Sequence, residues 1–528
     1  MSNSTSRRVR TRYAPSPTGR QHVGGIRSAL FAWLWARHNE GDFLLRIEDT
    51  DQTRFREDAL QDLFESMAWL GLAYDEGPDG PDAPPNDFFQ TQRGPRYQEV
   101  AEELVERGAA YYCFCSEARL AELRERQQAR KQPTGYDGHC RDLSAETVAE
   151  RLATFEAEGK RPVVRFKVPR DGSTTVPDAV RGEWTIENKQ IEDMILLKSD
   201  GLPTYHLGHL VDDHDMRITH PMRGVEYVPT APLHVMIHEA LGWELPTYVH
   251  LPLVLNPTGE GKMSKRKQGL DEAAGEQMMR ELHAERLIPD ALFAYQERNA
   301  NWGLLTMVHE FREAGFLPEA MLNYLALLGW SVGADKDIAT VEEMIQLFDI
   351  HNIKKSPSAF DYNKLEYLNG WYIRQLPPKV LATKLLPYLE AAGLEVDHDK
   401  LLDVLPLVHE RMKLLSEAPE LLDFFLGEAP LPDPADLPGK KMDNAQTRQA
   451  LQAAHQALAN SAWTLEGIEA TMRETATAQG LKAGQLFQPV RVAITGRKFA
   501  PGIFETVYHI GRERVLERLE RAVGLLAA

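Results

Sequence analysis

The sequence predicts an α/β protein: a doubly wound parallel sheet interrupted by an α+β insertion, followed by an all-α C-terminal region. Three observations carry this. A short β-prone segment, Val9–Tyr13, passes through a turn into helical periodicity and then into the apolar Phe43–Ile47, the strand–helix–strand order of a parallel unit. Mixed helical and strand-like pieces fill residues 111–200. From about residue 339 onward almost every segment has helical spacing.

Taken in order, Pro15-Ser16-Pro17-Thr18-Gly19 is the turn, and Ala29, Leu30, Trp33 and Leu34 continue the period that starts near His22. Gly77–Asn86 reads as a Pro/Gly/Asp loop and Tyr97–Arg107 as a helix. Val163–Val168 is strand-like within the insertion. Mononucleotide-fold character returns at Tyr205–Val211 and Tyr248–Leu255, with a helix at Leu233–Leu241 between them. Met278–Leu287 and Leu292–Gln296 suggest a helical hairpin at about 268–308, a stretch too long for a bare loop. A Pro-rich joint, Leu426–Pro438, interrupts the helical part. The expected divisions are 1–110 and 201–256 for the two halves of the α/β domain, 111–200 for the insertion, 257–380 for a connecting region, and 381–528 for the helical region.

The chain has 528 residues, is 43% apolar and 26% charged, and carries a net charge of −18. That composition excludes collagenous, disordered and disulfide-stapled classes. Three cysteines cannot build a disulfide framework and point to a reducing compartment. Met1–Arg12 has no apolar core of signal-peptide length, and Ile26–Ala36 and Ala320–Val332 are too short to span a bilayer, so a cytoplasmic protein without a membrane partner is expected. Local charge differs from the total. Residues 1–60 hold ten arginines against seven acids, and Lys262–Lys267 places four cations in six residues. Such a chain suits a polyanion bound at chosen surfaces.

Two motifs handle phosphate. In the first, Pro15 to Gly25, Gly24 and Gly25 let a flat ligand approach the backbone where a Cβ would clash. The helix start behind them favours negative charge, and His22 is placed to donate to a phosphate. Alone, this stretch reads equally as a glycine-rich turn with a surface histidine. The second, Gly261-Lys262-Met263-Ser264-Lys265-Arg266-Lys267, is a cationic clamp for a leaving polyphosphate. Alone, it reads as a solvated basic loop. It is not a P-loop, because Asn256 and Met263 stand where glycine and Ser/Thr belong.

Together the two motifs resemble the paired signatures of class I aminoacyl-tRNA synthetases. Arg46-Ile47-Glu48-Asp49-Thr50-Asp51, Leu202–Leu207, Val211-Asp212-Asp213-His214 and Met321–Trp330 narrow the likeness to the glutamyl-tRNA synthetase family of bacterial type, nearly end to end. The resemblance implies a Rossmann-like catalytic domain with an acceptor-end insertion, a stem-contacting segment and a helical anticodon-binding half. It implies joining of L-glutamate to ATP as an adenylate, then transfer to the 3′-terminal adenosine of tRNA-Glu by a monomer. Mg²⁺ would accompany the nucleotide, held mainly by its phosphates. The implied glutamate pocket is Arg12, Ser16, Glu48, Tyr205, His209 and Arg223, with the Arg12 guanidinium facing the side-chain carboxylate and Glu48 facing the ammonium. His22 and Lys265 are the implied catalytic groups. Gly24, Gly25, Lys262, Ser264 and Arg266 join Lys265 around ATP, and Asp51, Arg54 and Arg411 contact tRNA. Without the resemblance, Arg12, Glu48 and Arg223 read as structural ion pairs and Arg411 as a solvated helix residue. A glutaminyl enzyme is the nearest alternative, disfavoured by the helical C-terminal half; a tRNA-binding paralogue without activity is another.

All three cysteines, Cys113, Cys115 and Cys140, fall within 28 residues. Soft thiolates in such a cluster suggest structural Zn²⁺, which takes four ligands; the alternative is three reduced, unliganded cysteines. Some bacterial members of the resembled family have a histidine two residues beyond the third cysteine. Here that position is Asp142, leaving Tyr136, His139 or Asp142 as the fourth ligand. Two further departures are Gly224-Val225-Glu226-Tyr227, in place of the family's Gly-Glu-Glu-Trp near the adenosine end, and His209, where asparagine or an apolar residue is common.

Overall fold

The computed structural model describes residues 7–80, 83–263, 271–333 and 336–526. These fall into two compact units: residues up to 270 with 304–311 and 318–361, and residues 271–303, 312–317 and 362 onward.

In the first unit, the strands Arg10–Tyr13 and Asp42–Leu45 pair in parallel, Arg12 opposite Leu44, joined by the helix Val23–His38. That helix is buried on nearly every side, with Ile26, Leu30, Phe31 and Leu34 fully inaccessible, which explains why its sequence is apolar all round. A second parallel pair, Met222–Gly224 with Val249–Leu251, sets Arg223 opposite His250 and is crossed over by the helix Ala231–Leu241. A third parallel pair joins Val254–Leu255 to Ser358–Ala359.

The segment Tyr205–Val211 differs in kind from a strand. It opens a helix, Tyr205–Asp215, and the strand follows at Met222–Gly224. The helical period puts Tyr205, His209 and Asp213 on one face. Residues 110–200 form a three-stranded antiparallel sheet in the order Ala110–Cys113, Val163–Phe166, Ile195–Leu197. A separate hairpin, Ser173–Val176 with Trp184–Glu187, and the helices Glu117–Ala129 and Ala145–Ala157 complete this stretch.

In the second unit, the described residues form helices and loops without a strand. The hairpin expected at 268–308 is present as Glu272–Ala284 and Asp290–Asn299 and belongs to this unit, where Arg298 pairs with Glu420 at 2.8 Å.

Candidate active site

A cavity of about 760 Å³ opens in the first unit. Residues distant in sequence meet there: Arg12 from the first strand, Ser16 from the turn, His22, Gly24 and Gly25 at the helix start, Glu48, Tyr205, Arg223, and Lys262 with Met263. The Pro15–Gly25 stretch and the start of the Lys262–Lys267 stretch therefore reach one space. Ser264, Lys265 and Arg266 lie outside the described residues.

The His22 turn is pinned in place. Gln21 N donates to Asp62 at 2.7 Å, Val23 N to the Thr306 carbonyl at 3.0 Å, and Val308 N to the Gln21 carbonyl at 2.9 Å. His22 caps the helix, its Nδ1 accepting from Gly24 N at 3.0 Å. In the neutral ring that bond leaves the proton on Nε2, the tautomer that donates. A Cβ on Gly25 would come within 2.9 Å of the Tyr13 hydroxyl, so glycine is needed there for close packing. On the same wall, Arg27 donates to the carbonyls of Leu328 and Pro252; burial lowers its pKa to about 10.

The opposite wall is a network of buried charge. Arg12 Nε donates to Asp213 at 3.0 Å and Nη1 to the Met222 carbonyl at 3.1 Å. Arg46, wholly buried, binds Asp213 at 2.8 Å and Glu48 at 3.0 Å and lies 3.4 Å from Asp212. Burial alone would raise the Asp213 carboxyl, but the Arg12 and Arg46 guanidiniums outweigh it and hold it well below the usual range. At Glu48 burial prevails over Arg46 and Arg12, and its carboxyl is pushed up.

Arg223 is held differently. Its Nε donates to His250 at 3.0 Å, Nη1 to the Tyr205 hydroxyl at 3.0 Å and to His209 Nε2 at 3.3 Å, and Nη2 to His234 Nδ1 at 3.1 Å. Burial lowers the pKa of each of these histidines, with the Arg223 charge adding to it. Tyr227 packs 4.9 Å from the Tyr205 ring, and the Arg223 guanidinium lies 5.6 Å from it. That departure from the family sequence therefore stands beside Arg223. His209 is the exception among the expected pocket residues. It is absent from the lining and lies one layer behind, stacked on Tyr205 at 4.4 Å, because its Nδ1 is tied to the Tyr205 carbonyl of its own helix.

Residues 8–288 and 298–367 match the catalytic domain of the class I tRNA synthetases (E and Q), and residues 380–523 match an anticodon-binding domain. The chain belongs to the class I (E and Q) tRNA synthetases. It is 41% identical to a glutamate–tRNA ligase of Dehalococcoides mccartyi and 43% identical to one of Roseiflexus, each match covering 98% of this chain and 97–98% of the relative. A crystal structure of a glutamate–tRNA ligase from Elizabethkingia meningosepticum, in complex with its amino acid, superposes with a TM-score of 0.82 at 30% identity, covering 98% of this chain and 99% of that one.

The synthetase also gathers its three cysteines. The sulfurs of Cys113, Cys115 and Cys140 lie within 4.8 Å of one another, and Cys115 and Cys140 are 3.7 Å apart. Zn–S bonds of about 2.3 Å in a tetrahedron give a sulfur–sulfur edge of about 3.8 Å, so the donor set fits zinc. The Tyr136 hydroxyl is 3.4 Å from Cys113 and 3.7 Å from Cys115. Among the described His, Cys, Asp and Glu residues none joins the three cysteines. Asp142 is exposed and paired with Lys167 at 3.1 Å, and His139 is exposed, so of the three candidates Tyr136 alone stands at the cluster.

Elsewhere in the synthetase, Asp51 and Arg54 form an exposed pair with each other. In the second unit Arg411 donates to the Ala500 carbonyl at 3.2 Å. Sequence reasoning missed Asp178, His234 and His250 around Arg223. A histidine inside the apolar strand Val249–Leu251 was a readable signal; nothing local marked Asp178.

Proposed function

We propose that this synthetase attaches L-glutamate to the 3′-terminal adenosine of tRNA-Glu through a glutamyl-adenylate formed from ATP. One observation carries the reading: buried guanidiniums and the side chains of two phosphate-handling motifs share a single cavity in a chain of this family. Arg12 and Arg223 face the side-chain carboxylate of glutamate. Glu48 faces the ammonium, with Ser16 and Tyr205 bounding the rest and His209 supporting Tyr205 and Arg223 from behind. The glycine edge at Gly24 and Gly25 admits the nucleotide. The His22 Nε2 proton is donated to the α-phosphate as charge grows there, while Lys262, Ser264, Lys265 and Arg266 stabilise the departing pyrophosphate. No protein nucleophile is required; catalysis is positioning plus electrostatics. Mg²⁺ travels with ATP, held mainly by phosphate oxygens.

Residues 1–110 and 201–256 serve as the two halves of a Rossmann-like catalytic domain and 111–200 as the acceptor-end insertion. Residues 257–380 approach the tRNA stem and 381–528 take the anticodon. Asp51, Arg54 and Arg411 are tRNA contacts. Cys113, Cys115, Cys140 and Tyr136 hold a zinc ion that braces the insertion. The working species is a cytoplasmic monomer.

Charging assays with purified tRNA-Glu and tRNA-Gln, each with glutamate and with glutamine, test this. Glutamate attached to tRNA-Glu is the expected result, and ATP–pyrophosphate exchange should appear with glutamate only when that tRNA is present. Transfer of glutamine, or of neither amino acid, contradicts the proposal.

A further inference from the structure

We propose that Asp178 and His250 form a hydrogen-bonded relay that positions the Arg223 guanidinium for the side-chain carboxylate of glutamate. The proposal rests on the reading of Arg223 as a glutamate-binding residue and goes beyond it by naming positioning residues that never touch the substrate.

Asp178 follows the hairpin strand Ser173–Val176, and its side chain is wholly inaccessible. Its carboxylate accepts four hydrogen bonds. Val180 N and Arg181 N reach one oxygen at 2.9 and 2.6 Å; His250 N and His250 Nδ1 reach the other at 3.1 and 2.6 Å. Both oxygens face donors only. His250 Nδ1 must therefore carry the proton, which leaves Nε2 as the acceptor for the Arg223 Nε–H at 3.0 Å. The carboxylate thus sets a tautomer, and the tautomer sets the guanidinium.

The other partners of Arg223 are constrained in the same way. His209 Nδ1 is occupied by the Tyr205 carbonyl, so its Nε2 accepts. His234 Nδ1 accepts from Arg223 while its Nε2 lies 3.2 Å from His206 Nδ1. Among the described residues Arg223 makes no ion pair. Arg12, by contrast, is paired directly with Asp213. Imidazoles fix the direction of the Arg223 fork, with no carboxylate among the described residues in hydrogen-bond contact with it. Asp178 stands one imidazole away and acts through the His250 hydrogen bonds, while the charge of Asp213 also favours the guanidinium.

Two substitutions at position 250 separate positioning from packing. His250→Asn keeps a donor near Nδ1 for Asp178 but removes the acceptor for Arg223. His250→Gln keeps an acceptor near Nε2 but gives up the Asp178 bond. KM for glutamate and KM for ATP are measured in tRNA-dependent aminoacylation, with thermal unfolding as the check on the fold. His250→Asn is expected to raise the glutamate KM by about tenfold or more, the loss of one charge-assisted hydrogen bond, while the ATP KM stays within about twofold. His250→Gln is expected to recover most of that loss. Asp178→Asn is read alongside and supplies the result if His250→Asn does not fold. An amide there meets donors on either side and favours the wrong imidazole tautomer, so the glutamate KM should rise again. Equal effects of Asn and Gln at 250 overturn the proposal, as does an unchanged glutamate KM in the Asn variants. Arg223→Ala distinguishes the two levels. If it leaves the glutamate KM unchanged, the underlying assignment of Arg223 fails and the relay with it. If it raises that KM while His250→Asn does not, the relay alone is wrong.

Discussion

Arg12 and Arg223 are buried and Glu48 is nearly so, and Asp213, His209 and His250, which hold the two arginines, are each fixed by a further hydrogen bond. In the same cavity Lys262 is 55% exposed and paired with Glu226, itself 43% exposed. The difference matches the roles proposed above for the two groups. A small anion of one size and charge is recognised best by groups whose desolvation and orientation were settled when the chain folded. A polyphosphate that is split and released needs a cation that exchanges partners in water at little cost. The glycine-bearing turn is tied down on both sides, Gln21 N and Val23 N donating to Asp62 and the Thr306 carbonyl and the Gln21 carbonyl accepting from Val308 N.

Four outcomes sharpen or break this contrast, the largest first. Arg46→Ala strips the buried carboxylates of Asp212, Asp213 and Glu48 of their shared counter-charge and should cost about 3–5 kcal/mol of unfolding free energy in denaturant titration. A loss below about 1 kcal/mol would mean that the buried network is not pre-organised as described. His22→Ala should slow adenylate formation in a single turnover by about 10²-fold or more, with a stability loss of only about 1 kcal/mol from the missing cap. A rate loss no larger than the loss in ATP affinity would reduce His22 to a binding group.

Acid should act on the buried histidines first. Burial lowers His206 and His238 to about 4 and depresses His209, His234 and His250 as well. Between the ordinary histidine value of about 6.5 and those lowered values, the unfolded chain binds protons that the folded chain does not, so stability falls as the pH drops through that window. His238 alone should account for about 2 kcal/mol between pH 7 and pH 5. The Glu226 carboxyl is burdened by burial but drawn below its usual range by Lys262, so that pair persists until the pH falls below the carboxylate range. Calorimetric melting at pH 7 and pH 5 should show a clear drop; a flat profile would mean that the histidines charge freely in the folded state. The smallest effect is Glu226→Gln, which releases Lys262 and should lower the ATP KM by about two- to threefold without altering the glutamate KM.

The elements legible in the sequence were those with local signals. The first strand, the turn and the helix at Val23–His38 announce themselves through turn residues followed by a long apolar period. The cysteine set was visible because Cys113, Tyr136 and Cys140 lie close in sequence. The strand Met222–Gly224 has three residues, too few for any period, and the helical face of Tyr205–Asp215 was hidden by an apolar–polar mixture that also suits a strand. The support around Arg223 was illegible for a different reason. His234 and His250 reach it from two separate segments and Asp178 reaches only His250 from a third, and apart from the histidine in the apolar strand no local signal marks these contacts. The inference that Arg12 and Arg223 share a pocket came from family likeness, whereas the partners that hold Arg223 are visible only in its hydrogen bonds.

The most direct test of the account is a crystal structure of the enzyme with a non-hydrolysable glutamyl-adenylate analogue. The account predicts the side-chain carboxylate within hydrogen-bond distance of Arg12 and Arg223, and the phosphate linkage within reach of His22 Nε2 in the same 760 Å³ cavity. An analogue bound with its carboxylate away from both guanidiniums, or with its phosphate remote from the helix start at Val23, would contradict it.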